Sequence, residues 1–204
     1  MSILYDKQKL ITASLIIVKV RWFYYLVLML TGVLSKIVPG TLQGNVNFDV
    51  KGIIILSTIT YSLNYFYLKF FQKAQNKNLA LIQTVSITQL ILDLLFATVV
   101  VFKAGGIISV SFIYLTFVIV CSGFLMNFIG VMLITLFCSV SYVGLLFLQY
   151  FDILPFLSRY GSDFEYLIAH NLNGVVANSF TIVGSYFMIG LFVSLMSRAI
   201  SRKE

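Results

Sequence analysis

The sequence predicts an all-α, polytopic membrane protein of six transmembrane helices with both termini cytoplasmic. Three observations carry this. Of 204 residues, 60% are hydrophobic and only 10% charged, which leaves too little polar surface for a soluble fold of this length. Apolar runs of about 20 residues, the length that crosses a bilayer core of roughly 30 Å, recur along the chain. Stretches such as Ile53-Ile54-Ile55-Leu56 and Leu90-Ile91-Leu92 do not alternate polar with apolar residues, which argues for a helical bundle over the strands of a membrane barrel.

The first nineteen residues carry Asp6, Lys7 and Lys9 ahead of the apolar run Leu10 to Val18, with Lys19 and Arg21 after it and no small-residue cleavage site. This argues against a removable signal peptide and for a short cytoplasmic or interfacial segment, 1–19, lying at the inner surface. The membrane domain then runs over 20–196. Its expected spans are Val20–Val38, Gly52–Gln72, Leu79–Phe102, Ile107–Leu125, Phe128–Tyr150 and Val175–Met196. Residues 197–204 begin a cytoplasmic helix.

Connections punctuate these spans. Lys73 to Asn78 is a short polar turn, Gly105 and Gly106 form a glycine hairpin after Lys103, and Met126-Asn127 closes the next hairpin with almost no loop. Only Pro39–Lys51 and Asp152–Asn173 are longer. The second carries Asp152, Asp163 and Glu165 against Arg159, either a solvated connector or an acidic surface for a soluble ligand.

With the N-terminus inside, Lys7, Lys9, Lys19, Arg21, Lys69, Lys73, Lys77, Arg198, Arg202 and Lys203 fall on the cytoplasmic side. Lys36, Lys51, Lys103 and Arg159 fall outside. That asymmetry is what the positive-inside rule expects. The net charge of +7 therefore reads as topology and contact with anionic membrane lipid, not nucleic-acid binding. Trp22 to Tyr25, Tyr65 to Tyr67, and Tyr150, Phe151, Tyr160 and Tyr166 stand where interfacial anchors belong.

Asp93 stands out within its span, because burying a carboxyl in hydrocarbon costs several kcal/mol unless it is protonated or paired. Ser86, Gln89, Asp93 and Ala97 share a helical face, and so do Ser57, Thr60, Tyr61 and Asn64 on the preceding span. A polar seam is expected in which Ser57 or Tyr61 meets Asp93 and Asn64 meets Ser86 or Gln89. It serves either as glue between helices or as the place where a partner, proton or ligand is read. On the last span Gly174, Asn178, Thr181 and Ser185 form a further stripe, and Gly190 and Ser194 have the small-xxx-small spacing that suits a dimer or output helix. Cys121 and Cys138 differ in depth by roughly 9 Å, too far for a disulfide. His170 reads as a loop residue. The sequence shows no metal or cofactor motif, no P-loop and no nucleophile elbow, so nothing in it is a catalyst.

Gln89-Leu90-Ile91-Leu92-Asp93, Ala104-Gly105-Gly106, Ser109 and Tyr114-Leu115 resemble the membrane-embedded N-terminal region of PilS-type two-component sensor histidine kinases. Val20-Arg21-Trp22-Phe23-Tyr24-Tyr25 and Gly184-Ser185-Tyr186 running on to Arg198 and Arg202 are similar to that family's first and last spans. Val110 stands where the family often has proline, and Met126-Asn127 where it has a basic pair. The resemblance implies a sensor module of the bacterial cytoplasmic (inner) membrane, a homodimer that reads a membrane or envelope signal such as a pilin-like helix. Its output would reach a response regulator through a kinase core for which this sequence holds neither phosphoacceptor nor ATP-binding motif, and its charged end fits a longer helix cut short. The competing expectation is a small transport or ligand-binding protein with a polar intramembrane seam.

Overall fold

The computed structural model describes residues 7–37, 50–103, 112–154 and 170–201. Among them are six α-helices and no strand: α1 Lys7–Ile37, α2 Val50–Gln72, α3 Leu79–Lys103, α4 Ile113–Leu125, α5 Phe128–Tyr150 and α6 Leu172–Ser201. Three are long and apolar enough to cross a membrane, over Leu79–Phe102, Phe128–Tyr150 and Leu172–Arg198, and α4 is a shorter apolar helix. This is the pattern of a helical membrane protein. The Gly105-Gly106 hairpin, the loop after Pro39, and Arg159, Asp163 and Glu165 lie outside the described residues.

The described residues divide into two compact units, one within 7–86 and the other within 87–201. In the first unit α1 is unbroken for 31 residues. Residues 7–19 and the stretch from Val20 onward share this one helix, because no glycine or proline interrupts Lys7 to Thr31. Leu10, Ser14, Ile17, Val18, Arg21 and Tyr25 are buried along one face of it. Helix α2 runs antiparallel to α1. Lys7 Nζ donates to the Gln75 carbonyl at 2.8 Å, Asn64 reaches Val18, and Trp22 packs on Tyr61 with ring centroids 5.0 Å apart.

A single 3-10 turn, Ala74–Asn76, closes α2, and the Asn78 side chain accepts the Ala80 amide at 3.2 Å to start α3. Ser14 and Ser86 hydroxyls pair at 3.1 Å, which sets the first turns of α3 beside α1. One end of this unit thus gathers Lys7, Lys9, Lys73 and Lys77.

In the second unit α4, α5 and α6 form a three-helix group. Asn127 caps α5, its side chain accepting the Gly130 amide at 3.1 Å, while the Met126 amide closes α4 on the Ser122 carbonyl at 2.8 Å. This is the loop-free hairpin expected at Met126-Asn127. Arg198 lies over the Phe128 ring, 4.2 Å from its centroid, and Asn178 bonds Tyr142 at 3.2 Å, so α6 is antiparallel to α5. Tyr186 donates to the Phe112 carbonyl at 2.8 Å, and Gly123 faces Val193, so α6 runs parallel to α4. Cys121 and Cys138 are both buried thiols that form no disulfide with each other.

Two glycines allow this close approach. A Cβ at Gly123 would collide with the Val193 side chain, and one at Gly190 with the Thr135 side chain, whereas one at Gly184 would meet nothing within 4 Å. Gly190→Ala is therefore expected to lower stability by about 1–3 kcal/mol through overpacking, while Gly184→Ala should be neutral or stabilising by up to about 1 kcal/mol. Thermal unfolding of the two variants in detergent, compared with the parent chain, checks the contrast.

Candidate functional site

Two buried polar groups stand out, one in each unit. In the first, Ser14, Val18, Arg21 and Tyr25 follow one another at helical spacing along α1, and Thr60, Asn64, Tyr67 and Phe71 do so along α2. All eight are buried. The Asn64 amide donates to the Val18 carbonyl at 3.0 Å, while its Oδ1 is buried with no hydrogen-bond partner. Val18 thus accepts a second bond besides that of its own helix, which fixes the register of the hairpin.

Among the described residues Arg21 is the largest fully buried side chain, 1% exposed, with its guanidinium 5.7 Å from the centre of the Tyr67 ring. A buried cation carries a large desolvation cost that only nearby polar and aromatic groups offset. Trp22 and Tyr25 both pack on Tyr61, Tyr25 at 6.0 Å between centroids.

Arg21 does not stand at an exposed end of a span, where its basic character and the adjoining aromatics had placed it. Lys19, two residues earlier, is exposed. Residues two apart on a helix point to nearly opposite sides, so a continuous α1 cannot present both cations to water. That divergence was the available signal. Tyr25 and Tyr67 likewise pack inside the unit, while Tyr65 and Phe66 are exposed.

On the α3 stripe Ser86 and Gln89 are 0% exposed and Ala97 is 1% exposed, whereas Asp93, expected to be buried with them, is only half-buried. The pairing differs from the expected seam. Asn64 meets the Val18 carbonyl, not Ser86 or Gln89, and Ser86 meets Ser14. Tyr61 is half-buried in an aromatic cluster. The Ser57 side chain lies outside the described residues, as do Gly105 and Gly106.

In the second unit the buried face of α6 is Val175, Ser179, Ile182, Tyr186, Gly190 and Ser194. The expected stripe is not that face: Thr181 and Ser185 are exposed, and their hydroxyls donate back to the carbonyls of Ala177 at 2.9 Å and Thr181 at 2.8 Å. A hydroxyl satisfied by its own helix can face lipid without a partner. Gly190 and Ser194 are used within the chain. Gly190 abuts Thr135 of α5, and Ser194 donates to the Leu191 carbonyl at 2.7 Å, so a dimer through α6 would need another face.

Tyr142 and Tyr186 are both fully buried and meet edge to face at 6.1 Å. Further along, Gln149 is 2% and Ser179 8% exposed, and neither the Gln149 amide nor the Ser179 hydroxyl has a hydrogen-bond partner among the described residues. Each such buried orphan costs roughly 1–3 kcal/mol. No sequence signal marked this pair.

Just beyond α5, His170 Nε2 lies 3.1 Å from Asp152 Oδ1, so the histidine joins the two ends of the last loop. Asp152 adopts φ 55°, the left-handed conformation that lets the chain leave α5. Among the described residues no group of His, Cys, Asp or Glu could hold a metal ion.

The Tyr186 hydroxyl ties α6 to the start of α4. Tyr186→Phe should cost about 1 kcal/mol and leave the Phe112 carbonyl without that donor. Hydrogen exchange of the first α4 amides should then quicken roughly fivefold, and unchanged exchange would show that the bond does not hold α4 in place.

No protein-family model matches the sequence, and searches of curated proteins and of solved structures find no match either.

Proposed function

We propose that this chain is the membrane-embedded input module of a two-component sensor histidine kinase in the bacterial inner membrane. It would read a membrane or envelope signal and relay it through α6 to a cytoplasmic kinase core. The observation that carries this reading is α6 itself, a helix of 30 residues, Leu172–Ser201, without interruption. One face of it packs on α4 and α5 through Tyr186, Gly190 and Val193, while Arg198 carries it beyond the apolar stretch. A rod of this kind turns a change in helix packing into a shift or rotation at its far end.

The resemblance of the Gln89 to Asp93 segment to PilS-type sensors supports the same reading. So does the burial of Ser86, Gln89 and Asn64. The candidate sensing residues are Asp93, Gln89, Ser86, Ser57, Tyr61 and Asn64, with membrane lipid, a second copy of the chain and a pilin-like helix as candidate partners. A response regulator would be reached only through the kinase core. Six crossings with both termini in the cytoplasm fit the gathering of Lys7, Lys9, Lys73 and Lys77 at one end of the first unit.

A second reading, a small transport or ligand-binding protein, is favoured by one observation: buried polar atoms of Asn64 and Gln149 that find no partner among the described residues.

Asp93→Asn keeps the shape of the side chain and removes its charge. In a kinase-coupled reporter the variant should shift basal output at least threefold, with unchanged expression and thermal stability; output equal to the parent at every pH tested would remove the electrostatic role. Genomic sequence beyond Glu204 separates the two functions, since coiled-coil heptads leading to a kinase core fit the sensor and a stop codon fits the alternative.

A further inference from the structure

The contacts between α5 and α6 step along one face. Thr135 faces Gly190, and Tyr142 meets both Tyr186 and Asn178. Gln149 lies seven residues after Tyr142, two helical turns further on the same face. The antiparallel register therefore places it level with the stretch of α6 that carries Val175, Asn178 and Ser179. Val175 is buried there, as are Leu145 and Leu146 on α5.

Within this apolar setting sit three unmet hydrogen-bonding functions: the donor Nε2 and acceptor Oε1 of Gln149, and the hydroxyl of Ser179. Both residues are more than nine-tenths buried. The Asn178 amide, bonded to Tyr142, adds a polar neighbour on the same level. A primary amide and a hydroxyl, all neutral, are matched by a neutral group that donates and accepts at once, and an ionic headgroup would find no counter-charge in Gln149 or Ser179.

We propose that the Gln149–Ser179 end of the α5/α6 interface is a binding site for a neutral hydroxyl-bearing group, with Gln149 as its two-way hydrogen-bonding partner and Ser179 as its second anchor. This goes beyond the sensor reading and is independent of it. The group can come from the membrane, as the glycerol head of a monoacylglycerol, or from water, as a free polyol.

The experiment uses the full chain in phosphatidylcholine nanodiscs with ¹⁵N-glutamine labelling. The chain has 7 glutamines, and Gln149→Leu identifies the side-chain amide pair of Gln149, with Gln149→Met as the replacement should the leucine variant fold poorly. Monoolein and glycerol are titrated separately. The expected result is a saturable shift of the Gln149 pair with monoolein or with glycerol, and an apparent affinity at least fivefold weaker in Ser179→Ala. Saturation by monoolein alone supports a membrane source, and saturation by glycerol supports an aqueous one. A pair that neither probe moves and that exchanges magnetisation with water alone overturns the proposal in favour of a buried water. Shifts that Ser179→Ala leaves unchanged overturn it as well.

Discussion

A helix in hydrocarbon has no water to fall back on, so every polar group it carries must find its partner within the protein. Most side chains here meet that constraint in the cheapest way. Thr84, Thr98, Thr135, Ser139, Thr181 and Ser185 each donate to a carbonyl one turn back on their own helix. These hydroxyls are closed on themselves and say nothing about neighbours. The groups that cannot close locally decide how the helices meet: Asn64 on Val18, Ser14 on Ser86, Tyr186 on Phe112, Asn178 on Tyr142. Interhelical bonds of this kind average about 0.6 kcal/mol in a membrane, so they select register more than they supply stability.

Stability comes from close contact, and the second unit shows how. Lipid tails are as apolar as leucine, so helices gain from association only where they fit more tightly than lipid fits them. Gly123 under Val193 and Gly190 under Thr135 let α6 settle against both of its neighbours. The Asn127 cap and the Ser122 closure fix how α4 turns into α5. The surfaces left over, such as Phe180, Met188 and Phe192, are large and apolar, as a lipid-facing side requires.

Much of this was legible in the residues. Helix ends were readable where a breaker or cap stands: Asn78 before α3 and Asn127 before α5 place those starts to the residue. They were not readable where the chain offers none, which is why α1 extends thirteen residues ahead of the expected Val20. Helix faces were harder. The α3 stripe could be inferred because Ser86, Gln89 and Ala97 are small or polar among large apolar residues. The α6 stripe could not, since a serine that bonds its own backbone carries no inward preference. Arg21 escaped notice because a cation near aromatics resembles a membrane anchor until the helix is known to be continuous. Gln149 and Ser179 are unmarked by spacing or type, and only packing reveals that they are enclosed.

Trp22 is the chain's single tryptophan, and it rests against Tyr61 across the α1/α2 hairpin. The protein therefore carries its own optical gauge of that one contact. Its emission wavelength and its quenching by lipid-borne spin labels would register the parting of these two helices, with no tryptophan background from elsewhere in the molecule.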